Sequence, residues 1–241
     1  MDSGNIGFVL LCAAFVFVMT PGLAMFYGGL VRKKNVVNTM MTSIFIIGIG
    51  IVMWVLFGYS LSFAPSGNAF IGDFRWLGLE GVSLTEGYTD GASIPNMVFS
   101  AFQMMFAVIT PALITGAVAG RMKFKSIFVF TIFWSLIVYY PLAHMVWGQG
   151  GLLGADGIGA LDFAGGDVVH ISSGVSALVL CILLGKRHDY EHSIYRIHNI
   201  PTVVLSASLL MFGWFGFNAG SALAADGLAA HAFMTTGVSA A

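Results

Sequence analysis

The sequence has 241 residues, of which 58% are hydrophobic and 9% are charged, and its formal net charge is −1 at pH 7. Ordinary soluble domains carry about 25% charged residues, so this composition excludes a typical soluble domain and indicates an integral membrane protein. No basic excess points to nucleic acid as a partner.

The apolar segments of the chain predict helices rather than strands. Membrane β-barrels show segments of about ten residues that alternate between apolar and polar, whereas the apolar runs here are unbroken and about 20 residues or longer, as spanning helices require. We therefore predict an all-α polytopic membrane protein. The predicted spans are 6–31, 40–63, 93–119, 126–147, 164–185 and 200–224, and a seventh apolar run begins near Ala230.

The distribution of Lys and Arg predicts the orientation, because basic residues stay on the cytoplasmic side. Of the 10 basic residues, only Arg75 lies on the side of the N-terminus, in the long polar loop 65–93. The others follow the first, third and fifth predicted spans: Arg32, Lys33, Lys34, Arg121, Lys123, Lys125, Lys186, Arg187 and Arg196. We predict that the N-terminus faces outward. Residues 1–5 lack the positive start of a signal peptide, so we expect the first span to be retained.

Two short motifs indicate an internal repeat. The run GLAMFYGG that starts at Gly22 is similar to the run GWFGFNAG that starts at Gly213. Five spans separate the two starts, so the copies run through the membrane in opposite directions, as the inverted repeats of many transporters do. We also expect Gly116-x-x-x-Gly120 and Gly216-x-x-x-Gly220 to allow close helix packing.

The fifth predicted span carries ionisable residues, which are costly in a membrane and are usually functional there. Asp162 lies at its start, where a carboxylate can cap free N–H groups of a helix. His170 follows eight residues later, roughly 12 Å deeper along a helix. The residues three and four positions from His170 are not a metal-binding set. A neutral imidazole both donates and accepts hydrogen bonds, so His170 either lines a lumen or satisfies a packing contact. Asp167 has no assigned role.

Five runs of the sequence resemble the ammonium transporter family (Amt/Mep/Rh), and its Amt branch most closely. They are PGLAMFYGGLVRKKNV from Pro21, FQMMFAVITPAL from Phe102, PLAHMVWGQGGLLG from Pro141, LDFAGGDVVHISSG from Leu161 and FGWFGFNAGSA from Phe212. The resemblance implies eleven spans, arranged as two inverted five-helix units and a last helix. The chain is then similar to the N-terminal portion, with a first unit at about 6–185 and the start of a second at about 200–241. A homotrimer with one pore per subunit is also implied.

The resemblance also implies roles for individual residues. Phe106, Trp147 and Ser221 resemble the residues that recruit ammonium, with Phe102 in the same wall. Phe106 and Phe217 resemble a stacked gate, His170 a pore residue that relays protons, and Asp162 a vestibule residue that is also structural. For Phe106 and Phe217 alone, ordinary packing is the default interpretation, and only their motif positions favour a gate.

The expected function is therefore transport of ammonium or ammonia across the cytoplasmic membrane, in support of nitrogen uptake. Ammonium would be recruited at the aromatic and serine site, lose a proton, and pass along a hydrophobic pore lined by His170. The alternatives are an ammonium sensor coupled to a cytosolic signalling module, and a gas channel of the Rh type.

Other polar residues have simpler interpretations. Cys12 and Cys181 lie inside predicted spans and are expected to pack without forming a disulfide, and we expect no metal, no cofactor and no enzyme activity. His144 is expected at the membrane interface or hydrogen-bonded to a loop. Three histidines near predicted cytoplasmic arginines form either a solvated surface or the binding surface of a cytosolic PII signal protein, which the family binds: His188, His192 and His198.

Overall fold

The computed structural model describes residues 1–155, 157–187, 190 and 194–241. Within these residues the secondary structure is helical and contains no strand, which confirms the predicted all-α fold. We number the main helices as follows: α1 Ser3–Leu30, α2 Lys33–Phe63, α3 Asn96–Val118, α4 Phe124–Trp147, α5 Gly166–Leu184, α6 Ile200–Gly220 and α7 Gly227–Ala240.

Helices α1 to α6 are each long and apolar enough to cross a membrane, so the chain is a multi-pass membrane protein. Their bounds agree with the predicted spans to within a few residues, except that α2 begins at Lys33 rather than near residue 40. The difference arises because hydropathy marks only the apolar part of a helix, whereas caps and turns set where the backbone becomes helical. In α7, for example, the Asp226 carboxylate accepts from Ala229 N at 3.0 Å, and the helix begins at Gly227.

Helix α3 lies at the centre of the bundle. In its apolar window 72% of residues are buried, compared with 22% for α5 and α6. Helices α1, α2 and α5 pack around it. The loops between α2 and α3 and between α4 and α5 lie on the same side as the N-terminus, which we call the N-terminal side.

Helices α1 and α6 pack along most of their length in opposite directions. Gly22 of α1 lies against Leu210 of α6, and Gly213 of α6 lies against Met19 of α1. In the two similar motifs Gly22 corresponds to Gly213, and Met19 corresponds to Leu210 by the same offset. Each contact is therefore the counterpart of the other, as expected for two elements related by a twofold axis.

A second pair of contacts follows the same rule near the helix ends. Gly29 lies against Val203, and its counterpart Gly220 lies against Cys12, which corresponds to Val203. Close approach at both ends requires glycine, because a Cβ at either position would overlap the partner helix. The two contact pairs together explain why both copies of the motif keep small residues at the same places.

The two Gly-x-x-x-Gly predictions have different outcomes. Gly216 and Gly220 both face α1, as the pattern predicts. Gly116 lies against the Tyr27 ring, but Gly120 lies beyond the end of α3 with a left-handed φ of 71°, so it forms a turn rather than a helix contact. The prediction for Gly120 was wrong because the sequence spacing does not reveal that α3 ends at Val118.

The predicted positions of the histidines outside α5 can be compared with the structure in two cases. His144 is fully buried rather than interfacial. Its ring nitrogens lie 3.1 Å from Ser62 O and 2.8 Å from Asn68 O, so it bonds the last turn of α2 and the loop that follows α2. His198 is exposed just before α6. His188 and His192 lie outside the described residues.

Candidate functional site

A cavity of about 410 Å³ opens on the N-terminal side, between the ends of α3, α4 and α6. We call it the aromatic cavity. Its lining brings together four residues that the sequence analysis assigned to recruitment or the vestibule: Phe106, Trp147, Asp162 and Ser221.

Two aromatic rings form adjacent walls of the aromatic cavity. The rings of Phe106 and Trp147 lie 6.0 Å apart at an interplanar angle of 79°. Trp147 Nε1 donates to the backbone oxygen of Asp162 at 2.9 Å, which fixes the orientation of the indole. Aromatic faces attract cations, so these walls suit a small cation better than an anion.

Ser221 supplies a hydroxyl at the same level. Its Oγ donates to the backbone oxygen of Phe217 at 2.9 Å. Because the hydroxyl proton is used in this bond, the oxygen presents its lone pairs as acceptors. The arrangement suits a ligand that carries N–H donors.

Phe102 lies behind the wall rather than in the cavity lining. It is not among the residues that line the cavity, and its ring packs edge-on against Phe106 with centroids 4.9 Å apart. Gly220 of α6 leaves the space that the Phe102 ring fills. Phe102 therefore supports Phe106 by packing and has no direct exposure to the cavity.

Phe106 and Phe217 meet beneath the cavity. Their ring centroids are 4.5 Å apart with an angle of 54°, and both side chains are buried, at 1% and 2% exposed. Phe217 also contacts the His170 ring, at 6.0 Å between centroids, so the pair lies between the cavity and His170.

His170 has a defined tautomer in this arrangement. Its Nδ1 lies 2.9 Å from the backbone oxygen of Gly165. A carbonyl oxygen only accepts, so Nδ1 carries the proton and donates. In the neutral ring Nε2 is then an acceptor with a free lone pair. The ring stacks on Trp214 at 5.6 Å.

Asp162 binds the first turn of α5 with both carboxylate oxygens. Oδ1 accepts from the N–H groups of Gly165 and Gly166, at 2.5 and 2.9 Å. Oδ2 accepts from those of Asp167 and Val168, at 2.8 and 2.9 Å. The first N–H groups of a helix have no partner within the helix, and here one carboxylate accepts their hydrogen bonds.

The start of α5 corrects the predicted depth of His170. Residues 162–165 precede the helix, which begins at Gly166 as a π-helical turn. Only about 6 Å of helical rise then separates Gly166 from His170, rather than the 12 Å expected from Asp162. The reason is that Asp162 reaches the helix with its side chain, so its own backbone lies outside it.

Gly165 connects Asp162 to His170. Its N–H donates to the Asp162 carboxylate, while its carbonyl accepts from both the backbone N–H and Nδ1 of His170. The φ of Gly165 is 97°, a left-handed conformation that favours glycine. Asp162 therefore positions the loop that orients the His170 ring.

The long loop contributes Tyr88 to the cavity. Gln149 N donates to the Tyr88 hydroxyl at 3.1 Å, and burial raises the pKa of that hydroxyl to about 12, so it stays protonated at neutral pH. In the same loop a hydrogen bond from Arg75 lowers the pKa of Asp73. Both residues of that ion pair are solvent-accessible, and we assign it no part in the site.

Two residues of the site were not predicted from the sequence. Trp214, which stacks on His170, precedes Phe217 by three residues, and Gln103, which lines the aromatic cavity, precedes Phe106 by three. Residues three apart share a helix face, so this spacing was the available signal. In the described part of the chain no group of three or more His, Cys, Asp or Glu residues could hold a metal ion.

Comparison with known proteins gives consistent results. The sequence profile of the Ammonium Transporter Family matches residues 7–241. An ammonium transporter of Bacillus subtilis (strain 168) is 52% identical over 242 residues, a match that covers 100% of this chain and 58% of that protein.

Solved structures also share the fold. The crystal structure of Candida albicans Mep2 superposes with a TM-score of 0.89 at 33% identity, covering 100% of this chain and 53% of that one. A structure described as a sensor Amt protein superposes with a TM-score of 0.85 at 28% identity, covering 98% of this chain and 59% of that one. The chain thus spans little more than half the length of these relatives.

Proposed function

The chain belongs to the ammonium transporter family, and from this premise we propose that the protein conducts ammonium-derived nitrogen across the cytoplasmic membrane. One observation carries the proposal. The aromatic cavity, the Phe106–Phe217 pair and His170 follow one another in direct contact, an order that suits capture, gating and passage.

Capture takes place in the aromatic cavity. Ammonium is a small cation with four N–H donors, so the ring faces of Phe106 and Trp147 attract its charge while Ser221 Oγ accepts one N–H. The Asp162 carboxylate, also in the lining, adds a negative charge that favours a cation nearby.

Passage requires the loss of a proton. Moving a bare charge past two buried phenylalanine rings costs far more than moving neutral ammonia. The proton passes from ammonium to a water molecule of the cavity, and Phe106 and Phe217 admit NH3 when they part. On the far side the Nε2 lone pair of His170 accepts an N–H of NH3, and it accepts the proton when that proton follows through water. His170 in this way guides the neutral molecule and relays protons.

The proposal extends to the assembly. We place the N-terminus outside the cytoplasm and propose a homotrimer, as family membership suggests. The reciprocal contacts of α1 and α6 support an inverted repeat in which α1 to α5 form the first unit and α6 begins the second. A PII signal protein would bind the opposite face, which carries the basic loops.

The proposed orientation predicts the labelling of single cysteines. Ser126 is exposed in the first turn of α4, on the side opposite the N-terminus. In a variant whose two native cysteines are replaced by alanine, Ser126→Cys should resist an impermeant thiol reagent in intact cells. Thr85→Cys, in the long loop, is the matched control and should react. Labelling of Ser126→Cys from outside, with Thr85→Cys protected, would overturn the orientation.

Removing the capture residues should weaken uptake mainly at low substrate concentration. Without the cation–π and hydroxyl contacts, the double variant Trp147→Leu/Ser221→Ala should raise the half-saturating methylammonium concentration by about 30-fold or more. The maximal rate should change little, because capture rather than passage is lost. Initial uptake rates across a concentration series measure both quantities.

The control for this experiment is Ser208→Ala, which removes an exposed serine of α6 remote from the cavity. It should leave uptake unchanged. A uniform fall at all concentrations in the double variant, with normal protein in the membrane, would indicate that Trp147 and Ser221 pack rather than bind.

An ammonium sensor is the second candidate function. The similarity to a sensor Amt protein favours it, because the same bundle can bind ammonium without conducting it. Flux distinguishes the two: a sensor binds ammonium and leaves the membrane impermeable, whereas the proposed transporter conducts.

A further inference from the structure

Gln103 occupies a central place in the aromatic cavity. It lies on one face of α3 between Phe99 and Phe106, which also line the cavity and are spaced four and three residues from it. The side chain is 9% exposed. An amide group is therefore held among aromatic rings, away from bulk water.

The oxygen of this amide has no protein partner in the structure. No residue among those described donates a hydrogen bond to Gln103 Oε1. Buried polar atoms are almost always paired, and an unpaired acceptor costs stability. An unpaired acceptor on a side chain that lines a cavity is what a site for a hydrogen-bond donor presents before the donor binds.

We propose that Gln103 is a specificity-determining residue, whose Oε1 accepts one N–H of ammonium in the aromatic cavity. The inference rests on the proposed function, since it takes ammonium as the ligand of this cavity. It adds a second oxygen acceptor to Ser221 Oγ, on a different helix.

Two acceptors with two ring faces select ammonium over K⁺. Ammonium donates directed N–H bonds, so an amide oxygen and a hydroxyl oxygen satisfy two donors while Phe106 and Trp147 stabilise the charge. K⁺ has no donors and needs a shell of several oxygens to replace its water. The same two oxygens are too few to compensate K⁺ for dehydration.

A structural role for Gln103 makes the opposite prediction. If the amide stabilises the fold, replacing it with leucine should lower the melting temperature in the absence of ammonium. If Oε1 is kept unpaired for a ligand, Gln103→Leu should leave that temperature unchanged or raise it, because an unpaired acceptor is removed. Stability and binding then change in opposite directions, as at many functional sites.

The experiment uses the purified full-length protein. Its melting temperature is measured in ammonium chloride and in potassium chloride at equal ionic strength. Ammonium should raise the wild-type melting temperature above the potassium value, since a ligand stabilises the state that binds it. In Gln103→Leu the half-saturating ammonium concentration should rise about tenfold. Gln103→Glu keeps an oxygen acceptor and should retain ammonium stabilisation.

Asn38→Leu is the matched control, because it replaces an exposed amide with leucine near the start of α2, on the side opposite the aromatic cavity. This variant should keep the wild-type half-saturating concentration to within about twofold. If Gln103→Leu does not fold, Gln103→Met removes the same oxygen with an unbranched side chain and is tested instead.

Four outcomes are decisive. An unchanged half-saturating concentration in the Gln103→Leu or Gln103→Met protein overturns the inference, as does an equal rise of that concentration in Asn38→Leu. A lower melting temperature without ammonium, together with unchanged binding, assigns Gln103 to the fold. If ammonium stabilises the wild type, Gln103→Leu weakens this stabilisation, and the wild type shows no flux, the transport proposal fails while the assignment of Gln103 stands.

Discussion

Replacing His170 with aspartate is expected to change which ions cross the membrane. A carboxylate beyond the Phe106–Phe217 pair remains ionised and offsets the cost of a bare cation there. We expect the K⁺-evoked current per protein to rise at least about tenfold over wild type, and the ammonium response to become more electrogenic. The measurement is the current in reconstituted membranes that contain the full-length protein, normalised to protein content.

Two further variants test whether this effect is specific to the site. His170→Ala removes the Nε2 acceptor and should slow the ammonium current, on the order of a hundredfold if proton transfer limits the rate, without admitting K⁺. His198→Asp introduces the same charge at an exposed position before α6 and should leave selectivity unchanged.

A packing role for His170 would give a different pattern. Both His170 variants would then lower the amount and thermal stability of the protein in parallel with transport. Unchanged ion selectivity together with unchanged ammonium current per protein in both variants would rule out a pore-lining role.

Removing the Asp162 carboxylate is expected to have the largest effect on stability. Asp162→Ala leaves four N–H groups without their acceptor. Loss of a cap costs about 0.5–2 kcal/mol, and hydrogen bonds to charged groups contribute more than neutral ones, so we expect a loss of about 3 kcal/mol. This corresponds to a fall of about 6–12 °C in the melting temperature of a chain of this size.

Asp167→Ala is the matched control for Asp162→Ala. It removes a carboxylate from the same turn of α5, but this carboxylate accepts none of the four bonds, so the melting temperature should change little. Asp162→Asn keeps one oxygen acceptor and should fall between the two. Equal losses in Asp162→Ala and Asp167→Ala would show that charge, rather than capping, stabilises the turn.

Asp162→Ala should also impair transport in protein that remains folded. Gly165 would lose the bond that holds it in its left-handed conformation, and the Gly165 carbonyl is what orients His170. Ammonium current per folded protein should therefore decrease together with stability, whereas Asp167→Ala should retain it.

The spans could be predicted from sequence because a membrane helix is defined by length and hydropathy, both of which are local properties. The depth of His170 could not. It depends on the Asp162 side chain binding the helix from outside, which shortens the helical path by one turn. Gly120 was misassigned for a related reason, since helix ends are set by backbone partners that composition does not reveal.

Some residues of the site could also be predicted from the sequence, and others could not. Phe106, Phe217, Trp147 and Ser221 were chosen by motif resemblance, because nothing local distinguishes them from the other packed aromatic and hydroxyl residues. Gln103 lies in the same motif and shares a helix face with Phe106, but its importance depends on the absence of a partner, which only a structure can show. Phe102 was placed in the wall by its motif and lies one layer behind it.

The central claim is that the cavity, the phenylalanine pair and His170 form one conducting path for ammonium. Methylammonium uptake into vesicles that contain only the purified full-length protein tests this claim most directly. Uptake is measured at about pH 6, where alkylamines are almost entirely protonated. We expect saturable uptake above that of protein-free vesicles, with half-saturation shifted by Trp147→Leu/Ser221→Ala. Ammonium-dependent thermal stabilisation without any uptake above protein-free vesicles would contradict it and identify a sensor.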